Sequence, residues 1–274
     1  VTATKDELRD FVRDRLAPTF EACRPVKSRM GEPTLAGFTF EGMPFYAGWS
    51  GSKARLQSKP IRWLFCDEVR NYPPGRLEMV LKRTRSFWNS RRFLISTPGT
   101  KGDAMDTAFR AGDQRVWHFE CPNCHQLQPL KFEQLRWDSN DTTKPEGKWR
   151  FDALADTVRC ECVACGHPIK DTPVDRRWIE NRGRFVPQNP NAPRSRVSYT
   201  WNALLPHWVE WRAIVEEFLA AVDAMRVGGD IEPMFTFVTE TLGEPWDLDR
   251  WIVTGDDYLL ERKGDYDFGD PWPL

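Results

Sequence analysis

Seven cysteines and one adjacent pair of acids are the side chains in these 274 residues best arranged for chemistry. Cys121-Pro122-Asn123-Cys124 and Cys162-Val163-Ala164-Cys165 form two CxxC knuckles separated by residues 125–161. Four soft thiolates at that spacing can close a tetrahedral shell, and Zn²⁺ suits such a shell. A complete sulfur set leaves no open coordination position, so the metal would hold structure and not catalyse. Gly166, directly after the second pair, supplies the permissive backbone a knuckle needs. Cys160 makes the second motif CxCxxC and leaves open its standing in for Cys162, although the CxxCG spacing favours Cys162 and Cys165. His118, His125 and His167 flank the knuckles and read as surface residues, and Cys23 and Cys66 read as isolated buried thiols. Zinc-type pairs point to a reducing compartment and away from a disulfide scaffold.

The acids are Asp67 and Glu68. They end the run Ile61–Cys66, which is apolar except for Arg62, and Tyr72-Pro73-Pro74-Gly75 follows them. The run reads as a strand buried on both faces, with its acids at the carboxyl end, where parallel sheets present working residues. In a nucleotide-hydrolysing sheet the first acid holds Mg²⁺ and the second polarises the attacking water. The alternative is that the two acids simply end a strand. A second apolar run, Arg92–Ser96, leads into Thr97-Pro98-Gly99. Ser96 and Thr97 would then stand beside the acids, able to sense a terminal phosphate, though Ser/Thr before Pro is also common turn chemistry. Lys82, Arg83, Arg85 and Arg91 lie between the two runs and Arg92 opens the second, with Phe87 and Trp88 interleaved among these cations. That segment reads either as a nucleic-acid patch or as the solvated face of a helix. Gly51, Ser52 and Lys53 fall in a small-residue loop over 48–60, but the phosphate-cradling GxxxxGK[ST] occurs nowhere.

These groups need elements to position them. Leu8, Phe11, Val12 and Leu16 predict a helix over 5–17, opened by a Thr4/Glu7 capping box and stopped by Pro18. Residues 34–40 and 43–49 predict a hairpin turning at Glu41-Gly42. Strand-like Val116–Glu120 and Asp156–Cys160 precede the knuckles, and 130–137 with 148–151 can supply a ribbon's small core. A strand over 196–201, an amphipathic helix over 208–225 and a helix over 231–242 stopped by Gly243 and Pro245 complete the pattern. The acidic stretch after Pro245 reads as a linker. Lys+Arg 39 against Asp+Glu 40 excludes a globally basic nucleic-acid binder, so any such contact is a local patch. No apolar run approaches the roughly 20 residues of a membrane span, and no secretory signal stands at Val1. The abrupt start at Val1 and the loop-like tail read as a piece of a longer polypeptide.

In order along the chain, RLQSKPIRWLFCDEVRNYP (55–73), FWNSRRFLISTPGTKGD (87–103), FECPNCHQLQPL (119–130), CVACGHPI (162–169), GRF (183–185), VSYTWNALLPHW (197–208) and FVTETLGEPW (237–246) resemble the large terminase subunit of tailed phages, lambda-type (GpA) family. The resemblance implies an α/β fold: a RecA-like P-loop NTPase parallel sheet, partial here, with an inserted zinc ribbon and C-terminal helices. It divides the chain into an ATPase core over 1–117, the ribbon over 118–170, the rest of the ATPase domain over 171–245, and a linker over 246–274 toward a nuclease domain outside the chain. The implied function is ATP-driven packaging of duplex DNA. Asp67 matches the Mg²⁺ ligand, Glu68 the catalytic carboxylate, Ser96 and Thr97 the motif coupling hydrolysis to DNA movement, and Cys121, Cys124, Cys162 and Cys165 the zinc ligands. Implied partners are double-stranded DNA, the small terminase subunit, the portal protein and further copies of the chain, in the host cytoplasm and without a membrane. The phosphate-binding loop is expected before Val1 and the first acidic strand of the nuclease after Leu274, so the chain alone should hydrolyse ATP poorly. The competing readings are a non-catalytic zinc-ribbon module that binds DNA or protein, and an inactive prophage remnant.

Overall fold

The structure, a computed structural model, describes residues 1–32, 37–57 and 59–247. Positions 34–36 of the first hairpin strand and most of the proposed linker, 248–274, lie outside the described residues. The chain forms two compact units, Val1–Phe119 with Gly183–Trp201, and Glu120–Arg182 with Asn202–Leu274.

The first unit opens with α1 (Lys5–Phe11), whose capping box is formed as expected: Thr4 Oγ1 accepts from the Glu7 amide at 3.2 Å and Glu7 Oε2 from the Thr4 amide at 3.1 Å. Pro18 does not stop the helix. A π-helical turn at Val12–Leu16, in which the Ala17 amide reaches back to Val12 O, intervenes before α2 (Ala17–Ala22). The wider turn restarts the ladder, and Pro18 lands in the first turn of the new segment, where no intrahelical donor is required. Phe20 on α2 meets Phe38, Phe40 and Phe45 edge-on at 5.1, 5.3 and 5.8 Å. These rings cover the hairpin of β1 (Gly37–Phe40) and β2 (Met43–Tyr46), turned at Glu41-Gly42 as the sequence indicates. Cys23 is exposed, contrary to expectation, because it occupies the extended break between α2 and α3 (Arg24–Lys27). The supposed loop over 48–60 contains α4 (Lys53–Gln57), which forms because Leu56 gains a place in the apolar core.

β3 (Trp63–Asp67) and β4 (Arg91–Ile95) pair in parallel from Trp63↔Arg91 to Asp67↔Ile95. Leu64 and Cys66 pack against Leu56, Val69 and the buried side of α5 (Arg76–Leu81), namely Leu77 and Val80. The expectation of a strand buried on both faces fails in this chain. Trp63 and Phe65 remain 52% and 50% exposed and stack beside Phe93 across the pair, so one face packs and the other is bare. An uninterrupted apolar run is blind to this, since it looks the same whether its second face is covered or merely hydrophobic. After α6 (Ala104–Arg110), β5 (Arg115–Glu120) is flanked by β10 (Gly183–Pro187), antiparallel, and β11 (Tyr199–Thr200), parallel.

In the second unit β6 (Leu127–Pro129) follows the first knuckle, and β7 (Leu135–Arg136), β8 (Arg159–Glu161) and β9 (Pro168–Lys170) form a small antiparallel sheet. α7 (Phe151–Ala155) and α8 (Pro173–Asn181) accompany it. α9 (Trp211–Gly228) buries Trp211, Ile214, Val215, Leu219 and Ala221. α10 (Glu232–Thr236) carries Pro233 in its first turn and continues as a π turn to Thr241. Phe132, Trp137, Phe218 and Phe237 knit the β7 region to these helices, with Phe132–Phe218 at 4.9 Å and Phe132–Phe237 at 5.1 Å. The architecture is mixed α/β with small sheets. Among the described residues no helix is long and apolar enough to cross a membrane.

Candidate functional sites: an acid-tipped strand pair and a four-thiol cluster

The parallel pairing carries the acids of β3 and the hydroxyls after β4 to the same end of the sheet. Asp67 and Glu68 are both half-buried. Glu68 takes the left-handed conformation, φ 51°, ψ 51°, which turns the chain sharply out of β3 into the 3₁₀ turn Val69–Asn71. A residue with a Cβ in that region bears a cost of about 1–2 kcal/mol, so the turn is held by its surroundings. The two residues that follow help to hold it. Val69 is 1% exposed in the core. The Arg70 amide donates to Ser96 Oγ at 3.2 Å, and its guanidinium to Pro98 O at 3.2 Å. The acid turn and the Ser96-Thr97 segment are therefore one connected structure. Just beyond, Gly99 donates to Asp103 Oδ2 at 3.1 Å, and a Cβ at Gly99 would lie 2.5 Å from that oxygen, so the carboxylate would have to shift to admit one.

The cations stand at the other end of the same strands. Arg91 and Arg92 open β4, and four residue steps at about 3.3 Å each separate Arg91 from Ile95, roughly 13 Å. Lys82, Arg83 and Arg85 lie on a 3₁₀ helix, Lys82–Ser86, and not on the face of a longer α-helix. Two of the five have structural bonds: Arg83 donates to Gln57 O at 2.6 Å and Arg92 Nε to Thr84 Oγ1 at 2.7 Å. Lys82, Arg85 and Arg91 are exposed, and Trp88 between them is 96% exposed.

The knuckles fold as matched hooks. In the first, Cys121 donates its amide to Gln126 O at 3.0 Å and His125 donates to Cys121 O at 3.0 Å. In the second, Cys162 donates to His167 O at 3.1 Å and Gly166 to Cys162 O at 3.0 Å. Cys121 and Cys165 bring their sulfurs to 3.8 Å, Cys124 and Cys162 to 3.7 Å, and all four lie within 4.8 Å. A tetrahedral site with Zn–S bonds of about 2.3 Å has sulfur–sulfur edges of about 3.8 Å, so the donor set fits zinc in both type and spacing. Asn123 and Ala164 each point an amide at a knuckle sulfur, at 3.4 Å. Burial pushes the Cys121 thiol up to about 12, whereas the His167 amide, with Asn123, draws exposed Cys165 down to about 6. Cys160 is not in the cluster. It is fully buried in β8 between Leu135 and Ile169, and burial holds its thiol at about 12.

Gly166 has the expected left-handed backbone, φ 68°, and His125 occupies the same position of the first knuckle at φ 58° without being glycine. Aligning the two knuckles on their cysteines would have exposed that mismatch. Buried Gln128 and Gln134, which bond to the knuckle arms, were invisible because a lone glutamine has no spacing signature.

Comparison with known families bears directly on these sites. The family model described as "Phage terminase large subunit gpA, ATPase domain" matches residues 1–184, which include the acid turn, the hydroxyl segment and both knuckles. The chain belongs to this family. A second model, "Terminase large subunit gpA, endonuclease domain", matches residues 196–270. That match falls on the stretch expected to be the end of the ATPase domain and a linker. The chain is 25% identical over 187 residues to "Terminase, large subunit" of Escherichia phage lambda, covering 62% of this chain and 27% of the relative. It thus spans about a quarter of that relative's length. No solved structure matches the chain.

Proposed function

We propose that the chain is a segment of an ATP-driven DNA-packaging motor, with Asp67 binding Mg²⁺ and Glu68 acting on the water that attacks the terminal phosphate. Ser96 and Thr97 couple that step to movement. The carrying observation is the parallel β3–β4 pair, which joins the acid turn to the hydroxyl segment through the Arg70–Ser96 hydrogen bond. Any phosphate sensed at Ser96 would be felt by the Glu68 turn through one bond. The ATPase-family match supports ATP and Mg²⁺ as the ligands and a P-loop-type sheet as the larger frame. The endonuclease match favours moving the last domain boundary from 245 to near 196. Lys82, Arg85 and Arg91, with Trp88 among them, are the groups free to meet the phosphates of duplex DNA, while Arg83 and Arg92 are tied into the fold. Such contact is sequence-independent and salt-sensitive. The four thiols hold one structural Zn²⁺. The small terminase subunit, the portal protein and further copies are the partners this reading implies, in the host cytoplasm.

The deciding experiment is Glu68→Gln in the intact polypeptide. ATP turnover should fall by about 10²–10⁴-fold with DNA binding unchanged, because the group lost serves the transition state alone. Unchanged turnover sinks the assignment. The thiol cluster favours a second reading, a zinc-ribbon module without catalysis. It predicts DNA or protein binding that depends on zinc and ignores Glu68 altogether.

A further inference from the structure

Each knuckle's backbone hydrogen bonds are local, so they shape a hook but do not fix the distance between hooks 38 residues apart. A buried bond between the two arms does. Gln128 on β6, just after the first knuckle and 1% exposed, accepts through Oε1 from the amide of Val163 inside the second knuckle at 2.9 Å. The same oxygen accepts from Gln134 Nε2 at 3.2 Å, and Gln134 Oε1 accepts from the Lys131 amide at 2.7 Å. Every partner on these two oxygens is an N–H donor, so the orientation of both amides is fixed by chemistry. An acceptor buried between two donors resists loss, because removing it strands both.

We propose that Gln128, braced by Gln134, is a positioning residue for the thiol cluster. It clamps the second knuckle to the first arm, keeps the four sulfurs preassembled and thereby slows release of the bound metal. The proposal rests on the reading of the cluster as a zinc site. Outer-shell partners of metal ligands characteristically govern retention without changing the ligand set.

The test is the rate at which the zinc-loaded chain surrenders metal to excess chelator, together with the visible spectrum of the cobalt(II)-substituted chain. Gln128→Met keeps the volume but removes the acceptor, and release should accelerate by about ten- to a hundredfold while the tetrahedral cobalt spectrum persists. Gln128→Glu retains an acceptor oxygen and should restore most of the retention. Gln134→Met, which removes only the brace, should accelerate release less and covers the case in which Gln128→Met fails to fold. Thr143→Val serves as the control: that hydroxyl is buried in the same unit and donates to Asp138 O at 2.8 Å. It should lower stability without hastening release. Unchanged release from both glutamine variants, or equal acceleration by Thr143→Val, overturns the clamp alone. A chain that takes up neither zinc nor cobalt overturns the metal reading, and the clamp with it.

Discussion

The two candidate sites are built in opposite ways. The thiol cluster gathers its chemistry from two short hooks that repeat one hydrogen-bond pattern. The acid turn gathers its chemistry from the ends of two strands, on a sheet that packs one face and leaves Trp63, Phe65, Phe93 and Ile95 at least 40% exposed on the other. Each local hook carries its own shape with it, and only the spacing between hooks depends on the rest of the unit. A site at the end of a sheet depends on every layer that holds the sheet.

Breaking the comparison begins with the metal. Cys124→Ser with Cys165→Ser should reduce bound zinc from about one per chain to none by elemental analysis, because a four-sulfur site does not survive the loss of two ligands. The second unit should lose its fixed near-ultraviolet dichroism, while the β1–β2 and β3–β4 region should keep its amide protection. Uniform loss across both units would mean that they are not energetically separate.

The sheet is tested next, through adjacent residues of one strand. Leu64→Ala removes a side chain 2% exposed in the core and should cost about 2–5 kcal/mol in urea unfolding. Phe65→Ser, one position along and on the bare face, should cost under about 1 kcal/mol. Equal costs would contradict the one-sided packing of β3. A smaller effect is expected at the cations. Lys82→Ala, Arg85→Ala and Arg91→Ala together should lower the salt slope of duplex-DNA binding by about 3, whereas Arg83→Ala should chiefly lower stability. The smallest effect sharpens the knuckle symmetry: His125→Gly should raise stability by up to about 1 kcal/mol by relieving the left-handed backbone, less whatever the ring's contact with Trp178 contributes.

Legibility in the sequence divides along the same line. The cysteines announced the cluster because a CxxC hook is written in consecutive residues, and Thr4/Glu7 and Glu41-Gly42 were legible for the same reason. The strands and their carboxyl-end acids were readable as an apolar run, but the bare face was not, since hydrophobicity records a capacity for burial and not its fulfilment. Pro18 misled because the rule that proline ends a helix assumes an unbroken α ladder, and the π turn at Val12–Leu16 breaks that assumption. The amide clamp of Gln128 and Gln134 left no mark, because its members meet only after β6 and the second knuckle have been brought together by the fold.

The left-handed turn at Glu68 has an evolutionary consequence. Glycine would suit that backbone better, and Glu68→Gly should relax it by about 1 kcal/mol. Selection acting on stability alone would therefore favour glycine at this position, so the carboxylate is carried there at a cost to the backbone.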